Sequence, residues 1–168
     1  MHDLLPKAAH AGALLKTRRE TIAVSESSTG GLVSAVLLAV PGASAYFQGG
    51  TIVYTQTARL ALLGIGAAEM TGLRSASEPY AELLARTVRG RFSTTWGLAE
   101  TGAAGPSGNR YGDAAGHVCL AIGGPWSRVL TLETASPDRI GNMRVFAAAA
   151  LDLLIEALEQ APRMETPA

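Results

Sequence analysis

A three-layer α/β/α domain with a mixed central sheet is the fold class this sequence predicts, on three observations. Strand-like apolar runs alternate with helix-like runs from Thr21 to Ala99, the pattern that sets parallel strands between covering helices. Two later apolar runs, Gly116 to Ile122 and Arg128 to Thr134, are split by Gly123-Gly124-Pro125 and read as an antiparallel pair with a tight connection. A long helical repeat then closes the chain. No linker, repeat or low-complexity block interrupts residues 1–168, so a single domain is expected.

Each element has its own signal. Leu4, Ala8, Ala11 and Leu15 stand at helical spacing, with Asp3 as the candidate N-cap, Pro6 in the first turn, and Lys16, Arg18 and Arg19 where a helix end favours cations. Thr21-Ile22-Ala23-Val24 reads as a short buried strand. Leu32 to Leu38 reads as the helix after it, ending near Val40-Pro41-Gly42 because proline cannot continue a helix. A second strand is expected at about Gly50 to Tyr54, with Gly49-Gly50 marking a close backbone approach or a bulge. Thr57 to Leu63 predicts a short helix closed by Gly64, and Tyr80, Leu84 and Val88 predict a longer one beginning around Ser77-Glu78-Pro79. Thr95 to Ala99 predicts a strand, and the glycines and proline of Thr101 to Gly108 predict a loop. Ile140, Met143, Ala147, Ala150, Leu151, Leu154 and Leu158 define the long core-facing helix, and the tail beyond Pro162 is expected to be loose.

Composition narrows the functional classes. At 168 residues, 48% hydrophobic and 17% charged, with a formal net charge of zero, the chain has no electrostatic excess for nucleic acid or anionic lipid. Neither partner is expected, whereas low surface charge makes a homo-oligomer the expectation. Cys119 is the single cysteine, which excludes an intrachain disulfide and a thiolate-rich metal site and fits a cytoplasmic setting. Its apolar neighbours cast it as a small buried hydrophobe. His2, His10 and His117 lack paired-ligand spacing, so neither a metal nor a Ser-His-Asp triad is expected.

Two polar turns leave strand ends, where open sheets of this kind collect ligands. Ser25-Glu26-Ser27-Ser28-Thr29-Gly30-Gly31 places hydroxyls at a helix N-terminus, where free amides and the positive dipole end attract an anion or a developing oxyanion. The plainer alternative is ordinary capping, with the glycines only closing the turn. Thr101 to Gly108 is the second turn, and a tight structural loop is its plainer alternative. It has neither the spacing nor the closing Lys-Ser or Lys-Thr pair of a phosphate-binding loop, and no dinucleotide fingerprint follows the first strand. No cofactor is expected.

Several segments in register carry a resemblance. Ala23 to Gly31, Val40-Pro41-Gly42-Ala43-Ser44, Gly49 to Tyr54, Leu62-Leu63-Gly64-Ile65, Ser77-Glu78 and Thr101 to Pro106 resemble the CinA C-terminal family, the nicotinamide-nucleotide amidases, over nearly the whole chain. The resemblance implies hydrolysis of nicotinamide mononucleotide to nicotinate mononucleotide and ammonia through a serine nucleophile. It marks Ser27 as that nucleophile and Tyr54 as an active-site tyrosine. It also implies substrate contacts from Glu26, Ser28, Thr29, Gly30, Gly31, Gly50, Thr101, Gly102, Ala104 and Gly105, and casts Arg139, in Asp138-Arg139, as the phosphate or ribose contact. Arg144 is the alternative arginine.

Two departures bear on chemistry. Ser28 stands where the family usually has cysteine. Arg59 stands where active members have the lysine thought to activate serine, and a guanidinium holds its proton to about pH 12 or beyond. An active site therefore needs another base, and the candidates are Tyr54 as a phenolate stabilised by Arg59, or Glu26 through a water. Amides from Thr29 to Gly31 are expected to hold the oxyanion. The alternative is a degenerate member that binds a nucleotide or phosphorylated metabolite without turnover, with Arg59 as a phosphate ligand or a solvated helix residue.

Overall fold

The computed structural model describes residues 1–162 and forms the expected three layers. Its elements are α1 (Leu5–Arg18), β1 (Ile22–Glu26), α2 (Leu32–Leu38), β2 (Phe47–Ile52), α3 (Gln56–Leu63), α4 (Glu78–Phe92), β3 (Trp96–Ala103), β4 (His117–Gly123), β5 (Arg128–Glu133) and α5 (Arg139–Gln160). The sheet order is β2-β1-β3-β4-β5, with β1 parallel to β2 and β3, and antiparallel ladders joining β3 to β4 and β4 to β5. Both strand directions are thus present, as the late hairpin predicted. The tail expected beyond Pro162 lies outside the described residues.

Period-two alternation sorts the central strands between two cores. Ile22 and Val24 of β1, Trp96 and Leu98 of β3, and Val118, Leu120 and Ile122 of β4 pack with α1, α2 and α5. Ala23, Ala99, Cys119 and Ala121 face α4 instead, beside Tyr80, Leu84 and Val88. The α4 face carries small residues, so the helix lies close: a Cβ on Gly97 would stand 2.1 Å from the Ala85 carbonyl oxygen. Among the described residues no helix is long and apolar enough to cross a membrane.

Several boundaries differ from the sequence expectation. A 3-10 turn over His2–Leu4 precedes α1, so Leu4 takes the cap position without a side-chain bond. Asp3 instead pairs with the N-terminal amine and Arg144, two cations that hold its carboxyl down at about 2. Strand β2 starts and ends earlier than expected, because its parallel ladder runs to Ile52 opposite Glu26 and leaves Tyr54 beyond the strand. Thr101, Gly102 and Ala103 belong to β3 and not to a loop. Antiparallel β4 supplies their partners, with Gly102 opposite Val118, where a side chain would meet the His117 carbonyl oxygen at 2.4 Å.

Candidate functional site

Between β1 and β3 the strand order reverses, since the chain leaves β1 for β2 on one side and returns to β3 on the other. Past the last apolar layer, Val24 and Leu98, the next residues of the same parity are Glu26 and Glu100. Both carboxylates therefore point toward the turn that opens α2.

Glu26 is fully buried and accepts five hydrogen bonds: from the Gly31, Val33 and Ser34 amides at 2.9, 3.1 and 2.8 Å, and from the Thr29 and Ser34 hydroxyls at 2.7 and 2.6 Å. A side chain from the preceding strand thus fills the α2 N-terminus. Gly31 permits this with a φ of 100°. Glu100 accepts from the Ser27 and Thr29 amides at 3.0 and 2.9 Å and contacts the Ser28 and Thr29 hydroxyls. Burial pushes its carboxyl above the usual range, against those hydrogen bonds, which pull it down.

This arrangement corrects the expected oxyanion site. The Thr29 amide is bound to Glu100, that of Gly31 to Glu26, and that of Gly30 to the Ser27 carbonyl at 3.2 Å. None of the three is free for substrate. Glu26 is equally unsuited to act through a water, its oxygens being occupied.

A cavity of about 250 Å³ opens at the carboxyl ends of β1 and β3, lined by Ser27, Tyr54, Arg59, Thr101 and Gly102, with Tyr80, Asn109, Arg110 and Tyr111 closing it. A neighbouring cavity of about 220 Å³ shares Tyr54, Gly102 and Asn109 and adds Ser28, Ala104, Gly105 and Arg139. Arginines line both and no carboxylate does, so the combined cleft favours anions. A larger cavity, about 430 Å³, lies beyond the opposite end of β3 among Arg86, Arg89 and Arg128 and contains none of the motif residues.

The expected residues thus divide. Ser27, Tyr54 and Arg59 line one cavity, and Ser28, Ala104, Gly105 and Arg139 the next. Glu26, Thr29, Gly30, Gly31 and Gly50 line neither. Gly50 lies on β2 beneath Ser34, where a Cβ would stand 2.3 Å from the Ser34 hydroxyl. Arg139 donates to the Gly105 carbonyl at 2.7 Å and reaches the Tyr54 hydroxyl at 3.4 Å, whereas Arg144 turns away to Asp3. Arg139 is the arginine of the cleft.

Arg59 is only 8% exposed, donates from Nε to the Ile65 carbonyl at 3.1 Å, and sits 5.8 Å from the Tyr80 ring centroid. It is neither a solvated helix residue nor the partner of Tyr54, whose hydroxyl meets Arg139. The sequence reading also missed Glu100, Asn109, Arg110 and Tyr111. The signal for Glu100 was available: an acidic residue directly after Trp96-Gly97-Leu98-Ala99, at the core-facing parity of a buried strand.

Comparisons with known proteins agree with this architecture. A "CinA-like protein" of Cyanothece sp. is 44% identical over 114 residues, 68% of this chain and 27% of that protein. One from Trichormus variabilis is 38% identical over 156 residues, 91% of this chain and 37% of that protein. The chain therefore spans about a third of the length of such relatives. Among solved structures, a competence-damaged protein (CinA) superfamily protein from Klebsiella pneumoniae matches with a TM-score of 0.86 at 21% identity, covering 92% of this chain and 97% of that one. A competence/damage-inducible protein from Agrobacterium tumefaciens matches at 0.83 and 28% identity, covering 94% and 96%. The family model for the CinA C-terminal domain matches residues 5–158, and the chain accordingly belongs to that family.

Proposed function

We propose that this chain hydrolyses the carboxamide of nicotinamide mononucleotide, giving nicotinate mononucleotide and ammonia with Ser27 as the nucleophile. The observation that carries the reading is the cleft itself: adjacent serines at the carboxyl end of β1 open on a carboxylate-free space lined by Arg59, Arg110 and Arg139. Such a lining suits a phosphorylated ligand, since guanidinium groups pair with phosphate in a bidentate fork. Tyr54, 59% exposed at the rim, offers an aromatic face to a planar ring. The reaction needs no redox partner, only water.

Ammonia release from nicotinamide mononucleotide, with chromatography for the acid product, tests it. The wild type is expected to turn over, and Ser27→Ala to lose on the order of 10³-fold or more in rate. A wild type that binds the nucleotide in calorimetry without releasing ammonia would favour the second reading, a binder without turnover. Arg59 supports that alternative: fixed to the Ile65 carbonyl over Tyr80, it cannot take a proton as a lysine can. Under it, Arg59→Lys is expected to bring ammonia release back.

A further inference from the structure

The Ser27 cavity, about 250 Å³, falls below the roughly 300–1,000 Å³ of ordinary small-molecule sites, so a mononucleotide seated there extends beyond it. Two neighbouring spaces can receive the remainder. One is the cavity of about 220 Å³ that holds Arg139. The other is a cavity of about 400 Å³ between α3 and the segment joining β3 to β4, lined by apolar Leu60, Met70 and Leu73 and by Arg74. It shares Arg59, Arg110 and Tyr111 with the Ser27 cavity, and no carboxylate lines it.

We propose that the substrate's phosphate lies on the side of this larger cavity and is bound by Arg110, which a clasp of residues 109–113 holds in place. The proposal rests on the amide-hydrolysis reading and assigns, within it, the phosphate contact and the residues that position it.

The other guanidinium groups are already engaged. Arg139 donates to the Gly105 carbonyl and reaches the Tyr54 hydroxyl, and Arg59 is bonded to the Ile65 carbonyl over the Tyr80 ring. Arg74 grips both oxygens of the Asp113 carboxylate, at 2.5 and 3.0 Å. Arg110 is different: it is exposed at the rim common to both cavities, and its hydrogen bond goes to the Tyr111 hydroxyl at 2.9 Å. Among the described residues no carboxylate pairs with it. Such a guanidinium can offer phosphate a two-bond fork without first giving up an ion pair.

The clasp fixes where that fork stands. Asn109 Oδ1 accepts from the Tyr111 and Asp113 amides at 2.9 and 3.2 Å, and Asn109 Nδ2 donates to the Asp113 carboxylate at 2.8 Å. Arg74 ties the same carboxylate to the segment before α4. The Arg110 and Arg74 guanidinium carbons both stand over the Tyr111 ring, 5.1 and 5.5 Å from its centroid. The loop is thus ordered before a ligand arrives, which lowers the entropic cost of binding. Arg110 is the residue that meets the phosphate, and Asp113 and Arg74 are positioning residues.

Calorimetry with nicotinate mononucleotide and with nicotinate riboside, which lacks the phosphate, tests the assignment without turnover. The wild type is expected to prefer the mononucleotide. Arg110→Gln should weaken the mononucleotide about 10- to 100-fold, the range of a hydrogen bond to a charged group, and the riboside by less than about threefold. Arg110→Lys should recover part of the loss, because it returns the charge without the fork. Asp113→Asn keeps Arg110 but loosens the hold of Arg74, and should narrow the same preference by a smaller factor. Each variant is checked for folding by its thermal melt. In turnover, the Arg110→Gln loss should fall on KM for nicotinamide mononucleotide more than on kcat. A wild type without phosphate preference, a preference unchanged in Arg110→Gln, or one lost in Arg139→Gln instead overturns the assignment. Arg110-dependent binding of the mononucleotide without ammonia release would sink the amidase reading and leave the phosphate contact standing. Ammonia release with a phosphate preference indifferent to Arg110 does the reverse.

Discussion

Glu26 and Glu100 stand side by side at the end of the sheet and hold one turn by different chemistry. Glu26 receives only donors, three of them main-chain amides of the α2 cap and first turn. Glu26→Gln sets an amide nitrogen against some of those donors, leaving buried groups unpaired, and urea unfolding should show a loss of about 2–4 kcal/mol. Glu100 differs because burial makes the folded chain bind its proton more tightly than the unfolded chain does. That stabilisation is complete below the ordinary glutamate range and is lost as pH rises through the raised value. The unfolding free energy of the wild type relative to Glu100→Gln should therefore fall with increasing pH across that window, followed by denaturant titration at each pH. At this scale the sequence was half legible. The motif drew attention to Glu26 and to both serines, but it did not reveal that one carboxylate closes the helix end and another lies behind Ser28. Those facts depend on strand parity and on the register between β1 and β3.

At the scale of elements, close approach decides more than propensity does. Helix α4 covers β3 only because Gly97 presents no side chain, its absent Cβ being 2.1 Å from the Ala85 carbonyl oxygen and 2.7 Å from Arg89 Cβ. Backbone cannot rotate away as a side chain can, so Gly97→Ala should cost about 3 kcal/mol in chemical denaturation, at the upper end of ordinary overpacking. Helices α2, α3 and α4 were readable from apolar spacing and stop signals, with Gly64 in the left-handed conformation at the end of α3. Strand ends were less so. Local composition made Thr101 to Ala103 look like loop, yet a partner strand fourteen or more residues onward supplies their hydrogen bonds. Glycine content describes what a backbone can do; the ladder determines what it does.

For the whole molecule, alternation of strand and helix was enough to predict layers and mixed direction. Strand order was not, because nothing local states that β1 sits between β2 and β3. That order forms the cleft: it sets the Ser27-Ser28 step from β1 against Thr101 and Gly102 from β3, and Arg139 arrives from the first turn of α5. The spread of cations and carboxylates around it also carries a polarity. A phosphate approaching the serine turn would find the Thr29, Gly30 and Gly31 amides already bonded and two buried acids behind them, whereas Arg59, Arg110 and Arg139 line the walls of the cleft. Under the amide-hydrolysis proposal, the anionic end of a ligand would lie against those arginines and its neutral carboxamide toward the serine turn.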